Sequence, residues 1–345
     1  MMKLDRRNVS WLVPAVAALA LAAAGCGSSG SGSGSSGHTA KPGSSSAAAK
    51  QLKVALITPS ATNDLAFSQA MYAAVESLKS RYNLKISVQD NMFVVPDAAN
   101  AMRQYASQGY NLIIANGSQY GSTVQQLAPQ FPKVSFAWGT AGATFGLKNV
   151  YAYQAASNEG GYVQGYMAGL LSKSKVIGVI GPINVGDAQL YCDGFKAGVL
   201  AADPHATVHL SFTGSFSDVS LMASAAKSYT SEGADVLTGS SQSVVGAIGV
   251  AKTKKVAWFG TQWDQASLAP SSVVSSQVYN WAVVLSQIFA RIEAGKLGGA
   301  TYVIKLSNGG ERIAFNPSYP LPAKVKSASL AEISKIESGA VKPPQ

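Results

Sequence analysis

From Lys53 onward, short runs of β-branched and other apolar residues alternate with longer stretches in which apolar residues recur at helical spacing. This alternation predicts βαβ units around a parallel sheet. The predicted strands of the first half are 54–57, 84–88, 112–115 and 134–138, and the predicted helices are 67–81, 97–108 and about 123–130.

The alternation begins again after an apolar run at 150–154, so the chain contains two similar halves in succession. The predicted helices of the second half are 159–172, 187–202, 219–232 and about 243–251, and its strands are 175–180, 207–212, 235–237 and 256–260. About 295 residues remain after the N-terminal segments, a length that suits two hydrophobic cores better than one.

The end of the chain changes rhythm, with a strand at 273–278, a long helix at about 280–294 and a predicted β-ribbon across 301–315. A chain end that returns to both halves predicts an α/β fold of two doubly wound parallel-sheet lobes joined by a multi-strand hinge. We expect an N-terminal lobe at 51–156 plus about 262–293, and a C-terminal lobe at 157–261 plus about 294–340.

The N-terminus has the pattern of an export signal. Three basic residues among the first seven precede an apolar run at 11–24 that is too short to span a bilayer. Small residues before Cys26 form a lipobox-like site, so we expect residues 1–26 to be a signal peptide and Cys26 to carry the lipid. An ordinary secretory signal with an incidental cysteine is the alternative. The residues after Arg6-Arg7 favour general secretion over twin-arginine export.

Residues 27–50 are mostly Gly, Ser and Ala, a composition that buries too little apolar surface to offset the entropy of ordering. We expect a flexible tether that holds the folded body at the extracytoplasmic face of the cell membrane. The net charge of +10 raises the question of nucleic acid. Because the basic residues are scattered singly and the chain is exported, we exclude nucleic acid as a partner.

In open parallel sheets, ligands bind at the carboxyl ends of the strands. The loops that follow the predicted strands ending at Ile57, Ala115, Trp138, Gly181, Phe212, Leu237 and Gly260 should therefore meet in one cleft. Most of these loops are polar and glycine-rich, and several carry aromatic rings. The pattern predicts a binding site for a polar ligand with a flat ring.

The motifs that would indicate an enzyme are absent from the sequence after the tether. It contains neither a Gly-x-Ser-x-Gly elbow nor a phosphate-binding Gly-x4-Gly-Lys-Ser/Thr loop. His205 and His209 would lie about 13 Å apart on one strand, at about 3.3 Å per residue, too far to chelate one metal. Gly161, Gly165 and Gly169 recur at every fourth position of one helix, which indicates close packing on a sheet rather than a membrane dimer.

Five segments occur in an order and spacing that are found together in one family. They are Asp64-Leu-Ala-Phe-Ser-Gln69, Phe131-Pro-Lys-Val-Ser-Phe-Ala137, Glu159-Gly-Gly-Tyr-Val-Gln-Gly-Tyr-Met-Ala-Gly169, Gly214-Ser-Phe-Ser-Asp218, and Trp263-Asp-Gln265 with Ala269-Pro270. On these residues the chain resembles the basic membrane protein family, the purine-nucleoside-receptor-like substrate-binding lipoproteins of ABC transporters. The resemblance covers roughly residues 53–315.

The resemblance implies a type I periplasmic-binding-protein fold and a monomer without enzymatic activity, cofactor or metal. It also implies a small nucleoside-like ligand and an ABC permease complex as partner. The base would lie between two rings, which the motifs place at Phe67 and Phe216, one in each lobe. Core packing is the alternative role of each ring. Each base stacked on an aromatic face gains about 1–3 kcal/mol.

The polar residues depart from the family pattern. Thr140 and Gln262 stand where family members usually carry acids, and Tyr279 stands where a lysine is common. Asp64 is retained, and it is either a ligand contact or a helix N-cap. The predicted polar lining is Asp64, Ser68, Thr140, Ser240, Gln262 and Tyr279. These departures leave the standard ribose contacts, and hence the identity of the ligand, open.

The predicted function is capture of a nucleoside-like or related heteroaromatic solute for an ABC importer. A ligand-sensing lipoprotein that signals to a membrane partner is the alternative, because closure of the two lobes could be recognised by either kind of partner.

Overall fold

The computed structural model describes residues 51–345. The predicted signal peptide at 1–26, the lipid site at Cys26 and the tether at 27–50 lie outside the described residues. Within 51–345, no helix is both long enough and apolar enough to cross a membrane.

The first lobe is built on a parallel sheet of six strands. Its strands are β1 (Leu52–Ile57), β2 (Leu84–Gln89), β3 (Leu112–Asn116), β4 (Ser135–Gly139), β5 (Val150–Ala155) and β11 (Ala300–Ile304). Their spatial order is β11-β5-β4-β3-β1-β2. The sheet is covered by α1 (Phe67–Ser77), α2 (Val95–Ser107), α3 (Gly121–Leu127) and α8 (Ala282–Glu293).

Alternate residues of β1 explain why helices cover both faces of this sheet. Val54 and Leu56 belong to a core that includes α1 and α8, whereas Ala55 and Ile57 belong to a core that includes α2 and α3. Successive side chains of a strand point to opposite faces, so an uninterrupted apolar run buries both.

The second lobe has its own sheet of six strands. They are β6 (Val176–Gly181), β7 (Thr207–Phe212), β8 (Val236–Gly239), β9 (Ala257–Gly260), β10 (Val273–Tyr279) and β12 (Glu311–Phe315). Their spatial order is β12-β10-β9-β8-β6-β7. The helices of this lobe are α4 (Ser157–Leu171), α5 (Gly186–Ala202), α6 (Val219–Ser231), α7 (Val245–Lys254) and α9 (Ala323–Glu337). Only β12 runs antiparallel to its neighbour among the strands of residues 51–345.

Three connections carry the chain between the lobes: β5 to α4, β10 to α8 and β11 to β12. Backbone hydrogen bonds join these crossings to one another. Ala156 N donates to Ile304 O (2.8 Å) and Asn280 N donates to Gly310 O (2.7 Å). The expected two-lobed α/β fold with a multi-strand hinge is therefore confirmed.

The assignment of the late elements to lobes differs from the prediction. Residues 273–279 form β10 of the second sheet, paired with β9, although 262–293 was expected in the first lobe. Residues 300–304 form β11 of the first sheet, paired with β5, although 294–340 was expected in the second lobe. The predicted ribbon across 301–315 is wrong for the same reason, since its two halves extend different sheets.

The glycines of α4 pack closely against α5, and not against a sheet as predicted. A Cβ at Gly165 would lie 1.9 Å from Phe195 O, and a Cβ at Gly198 would lie 2.0 Å from Tyr162 O. Glycine at both positions lets the two backbones approach to a separation that any side chain would prevent.

Candidate ligand-binding site

The carboxyl ends of the strands of both lobes face one cleft, and the space between its lining atoms is about 420 Å³, counting the part that is open to solvent. Its lining comes from the segments after β1, β2, β3, β4, β6, β7, β8 and β9. All of them except the loop after β2, which contributes Phe93, were predicted from the strand pattern. The lining residues are Pro59, Phe67, Phe93, Gly117, Ser118, Gln119, Thr140, Val185, Asp187, Ala188, Phe216, Ser240, Ser241, Gln242 and Gln262. Five of the eight predicted ligand contacts are among them, namely Phe67, Thr140, Phe216, Ser240 and Gln262.

Aromatic rings from both lobes line the cleft. Phe67 is the first residue of α1 in the first lobe, and Phe216 lies in the loop between β7 and α6 in the second. Phe67 is buried, and its ring also belongs to the core that includes α1 and α8. Phe93 adds a third phenyl ring, which the sequence motifs did not identify. A flat apolar guest would therefore meet phenyl surface from each lobe.

The carboxylate of Asp64 is hydrogen-bonded to the start of α1, and Asp64 does not line the cleft. Its Oδ1 accepts from the backbone N–H groups of Ala66 (2.8 Å) and Gln69 (3.1 Å). Its Oδ2 accepts from Ser68 N (3.1 Å) and Ser60 Oγ (2.5 Å). Of the two roles that the sequence left open, the contacts match helix capping, which satisfies N–H groups that have no partner within the helix. Asp64 thus holds the start of α1, which carries Phe67, and is not among the residues that line the cleft.

Ser68 was also predicted to line the cleft, and the structure places it behind the first loop. Its side chain is fully buried, and its Oγ is within hydrogen-bond distance of Thr58 Oγ1 (2.7 Å) and Ser60 Oγ (2.5 Å). The hydroxyl is one residue beyond Phe67 on α1, so it points about a quarter-turn away from that ring. Ser68 therefore holds the loop against the helix.

Tyr279 ends β10 beneath the cleft and is only 3% exposed. Its ring packs edge-on against Trp281 at 5.4 Å, within the core that includes α1 and α8. Tyr279 is absent from the residues that line the cleft, so its expected role as a ligand contact is not supported. Burial raises the pKa of its hydroxyl well above the usual value, and the neighbouring acids Asp187 and Glu311 raise it further.

Four buried polar atoms on the cleft residues make no hydrogen bond within the described chain. They are Asp187 Oδ2, Ser240 Oγ, Gln242 Oε1 and Gln262 Oε1. Leaving such an atom unpaired costs about 1–3 kcal/mol, and more for a charged group. Because all four belong to one cleft and each can accept a hydrogen bond, the site matches a guest with several donors.

Asp187 is the only ionisable side chain among the cleft residues that the structure describes. It lies in the first turn of α5, and its Oδ1 accepts a hydrogen bond from Thr140 Oγ1 (2.9 Å) in the opposite lobe. Burial raises the pKa of this carboxyl to about 6, and the hydrogen bond from Thr140 opposes that shift. Asp187 was not among the ligand contacts predicted from the sequence, although the loop after Gly181 was expected to meet the cleft.

A second contact between the lobes lies at the loop after β9. Gln265 is fully buried, and its Nε2 donates to Leu65 O in the first lobe (3.2 Å) and to Thr261 O in its own loop (3.1 Å). Gln262 in the same loop adopts a left-handed conformation with φ of 69°. That conformation is strained for a residue with a side chain, and such strain concentrates at functional sites.

The described chain holds no group of three or more His, Cys, Asp or Glu side chains that could bind a metal ion. The cleft thus offers rings, neutral hydrogen-bonding groups and one carboxyl. This chemistry suits reversible binding of an organic solute.

Comparison with known proteins identifies the family. The family described as "ABC transporter substrate-binding protein PnrA-like" matches residues 51–343. A purine-binding protein of Brucella abortus is 26% identical over 87% of this chain and 85% of its own length. The nucleoside-binding protein BmpA of Lactococcus lactis is also 26% identical, over 78% of this chain and 83% of its own length.

Among solved structures, an ABC transporter solute-binding protein of Conexibacter woesei superposes with a TM-score of 0.70. The two are 24% identical, and the match covers 85% of this chain and 98% of the other. The likeness confirms the type I periplasmic-binding-protein fold. Family members bind substrates for ABC transporters outside the cytoplasm and are not enzymes. By the match over residues 51–343, this chain belongs to the family of PnrA-like ABC transporter substrate-binding proteins.

Proposed function

We propose that this protein captures a nucleoside-like or related heteroaromatic solute by closure of its two lobes and delivers it to an ABC importer. The observation that carries the proposal is the placement of Phe67 and Phe216, from different lobes, in one cleft with four unpartnered polar atoms. The rings would hold the flat face of the guest, and the polar atoms would receive its donors.

Stacking on two rings couples binding to closure. Each stacked face contributes about 1–3 kcal/mol, and the second face is available only when the lobes come together. A ligand shifts a conformational equilibrium by its difference in affinity for the two states. A guest that meets one ring in the open form and two in the closed form supplies such a difference, which a permease complex can recognise.

The hydrogen bonds between the lobes support closure as the conformational change. Thr140 bonds to Asp187, and Gln265 bonds to Leu65, with one partner of each pair in each lobe. Separation of the lobes would break both bonds. Their strength therefore adds to the stability of the closed form that a ligand would select.

The choice of ligand class is supported by the relatives and by the site. One relative is named a purine-binding protein and another a nucleoside-binding protein. Purine nucleosides combine a flat ring with amino, ring N–H or hydroxyl donors, which complement phenyl faces and unpartnered acceptors. A free nucleoside also lacks phosphate, whose negative charge would be repelled by the Asp187 carboxylate.

The proposal includes a lipid anchor on Cys26 and a monomeric receptor on the extracytoplasmic face of the membrane. A Cys26→Ser variant should lose both incorporation of labelled palmitate and retention in the membrane fraction. Unchanged fractionation of the variant would contradict the anchor without affecting the binding site.

Titration calorimetry with adenosine, guanosine, inosine, uridine and the free bases tests the binding proposal. We expect affinity in the micromolar range for at least one nucleoside and a loss of about tenfold or more in Phe67→Ala or Phe216→Ala, as one stack predicts. Phe131→Ala, a partly buried ring outside the cleft, is the matched control. Absence of binding to the whole panel, or equal binding by the cleft variants, would overturn the proposal.

A further inference from the structure

Asp187 holds one free acceptor atom inside the cleft. The residue is 7% exposed, and Thr140 occupies its Oδ1 at 2.9 Å. Its Oδ2 is buried and makes no hydrogen bond within residues 51–345. Ser157 Oγ donates to the backbone carbonyl of Asp187 (2.5 Å), which fixes the start of α5 beside the hinge. The carboxyl is therefore held in place with one oxygen unused.

No cation neutralises this carboxyl within the protein. None of the ion pairs in the described part of the chain involves Asp187. The titratable groups that interact with it are the Tyr153 and Tyr279 hydroxyls and the Glu311 carboxyl, which are neutral or acidic. A buried carboxylate without a cationic partner is costly unless hydrogen-bond donors surround it. Thr140 and the backbone N–H groups of Asp187 and Ala188 favour the charged form, and a ligand donor at Oδ2, which has no hydrogen-bond partner among the described residues, would stabilise that form further.

We infer that Asp187 is the specificity-determining acceptor of the cleft, whose free oxygen receives a hydrogen-bond donor from the ligand and favours donor-bearing heteroaromatic solutes over isosteres that lack that donor. The inference rests on the proposed function and deepens it. Gln242 and Gln262 present further unpartnered oxygens in the same cleft, so the acceptor character is shared by the lining. A ligand that lacks the donors would leave these atoms unpaired, which is the strongest basis for rejecting a close analogue.

Two groups of a nucleoside could supply the donor: an exocyclic amino group on the base, or the neighbouring hydroxyls of the sugar. Adenosine, purine riboside and 2′,3′-dideoxyadenosine separate them. Purine riboside lacks only the amino group, and the dideoxy compound lacks only the two hydroxyls. One of the two analogues should bind the unmodified protein more weakly than adenosine does. If this difference in affinity is smaller in an Asp187 variant, the group that the analogue lacks is the one that meets the carboxyl.

The decisive variant is Asp187→Asn. If the amide oxygen keeps the bond from Thr140, the amide nitrogen replaces the free oxygen and presents a donor where the ligand also presents one. We expect the best nucleoside of the panel to bind about tenfold to a hundredfold more weakly, the range for a hydrogen bond to a charged group. Asp193→Asn, on the same helix but outside the cleft, is the control and should bind within about twofold of the unmodified protein.

Proton release gives a second test. Since the pKa of the free carboxyl is about 6, donors that stabilise its charged form should release up to about half a proton per ligand at pH 6. Calorimetry in two buffers of different ionisation enthalpy measures this number. Proton release that is lost in Asp187→Asn would support the inference, and equal affinity in Asp187→Asn would overturn it while leaving the proposed function intact. Absence of nucleoside binding by the unmodified protein would instead overturn the proposed function, and this inference with it.

Discussion

Thr140 Oγ1 donates a hydrogen bond to Asp187 Oδ1 across the cleft, at 2.9 Å, although the two residues belong to different lobes. Thr140 follows β4 of the first sheet, and Asp187 begins α5 beside the second. Both side chains are nearly inaccessible, at 6% and 7% exposure. The same carboxyl thus joins the two lobes through one oxygen, and its other oxygen has no hydrogen-bond partner among the described residues.

Replacing Thr140 by Val removes this bond while nearly conserving volume. We expect about tenfold weaker nucleoside binding, because a hydrogen bond to a charged group contributes about 1.5–3 kcal/mol to the closed form. The free variant should also have a larger radius of gyration in small-angle X-ray scattering. Thr144→Val, in the same loop but outside the cleft lining, is the control. Unchanged affinity and dimensions would show that the bond does not contribute to closure.

Asp187→Asn should alter the pH dependence of stability. The folded carboxyl has a pKa of about 6, raised from 3.8, so the folded chain keeps its proton where the unfolded chain has lost it. The free energy of unfolding of the unmodified protein therefore falls as the pH rises through this window. The variant lacks that fall and should be about 1–3 kcal/mol more stable at pH 8, with no such gain below about pH 4.

Urea unfolding of both proteins at pH 4 and pH 8 measures this effect, with Asp193→Asn as the control for loss of a charge on α5. A constant difference at both pH values would mean that Asp187 does not titrate in the window.

Asp64→Ala should act through the helix and not through direct loss of a ligand contact. Its carboxylate accepts three backbone N–H bonds at the start of α1. We expect a loss of about 1–2 kcal/mol in the free energy of unfolding, which is typical of a lost cap. Saturating ligand should still bind with unchanged stoichiometry. Loss of binding in a variant that remains as stable as the unmodified protein would restore Asp64 as a ligand contact.

Gly165→Ala should separate α4 from α5. The added methyl would lie 1.9 Å from Phe195 O, and a backbone atom cannot move aside as a side chain can. We expect a loss of at least about 2 kcal/mol, at the upper end for overpacking. Gly249→Ala, where the methyl meets open space on α7, should be neutral or slightly stabilising. Thermal unfolding of the two variants side by side checks the contrast, and equal melting temperatures would contradict it.

The helices and strands were predicted well from the sequence, because the spacing of apolar residues and their burial determine both kinds of element. The apolar run at β1 feeds two cores, and its continuity indicated a strand covered on both faces. The pattern of apolar residues alone could not show which of the two sheets contains residues 273–279. All seven residues of β10 are buried, so the strand has no solvent-facing side that would distinguish one lobe from the other.

The lining of the cleft was predicted in part, and the reasons differ by residue. Phe67, Phe216, Thr140, Ser240 and Gln262 follow strand ends or start a helix beside them, and the carboxyl ends of parallel strands converge. Tyr279 ends a strand too, but its ring turns towards Trp281 in the core, an orientation that no spacing rule provides. Asp187 was missed because an acid in the first turn of a helix is ordinarily explained by the helix dipole.

The three hydrogen-bonded crossings limit how the two halves of the protein can move. Crossings that are hydrogen-bonded to one another resist sliding and twisting, whereas small changes in backbone angles at their ends still permit bending. We therefore expect the two lobes to move by bending between an open and a closed arrangement. The angle between the two lobes would then differ between the loaded and the empty receptor, and a transport complex could recognise that difference.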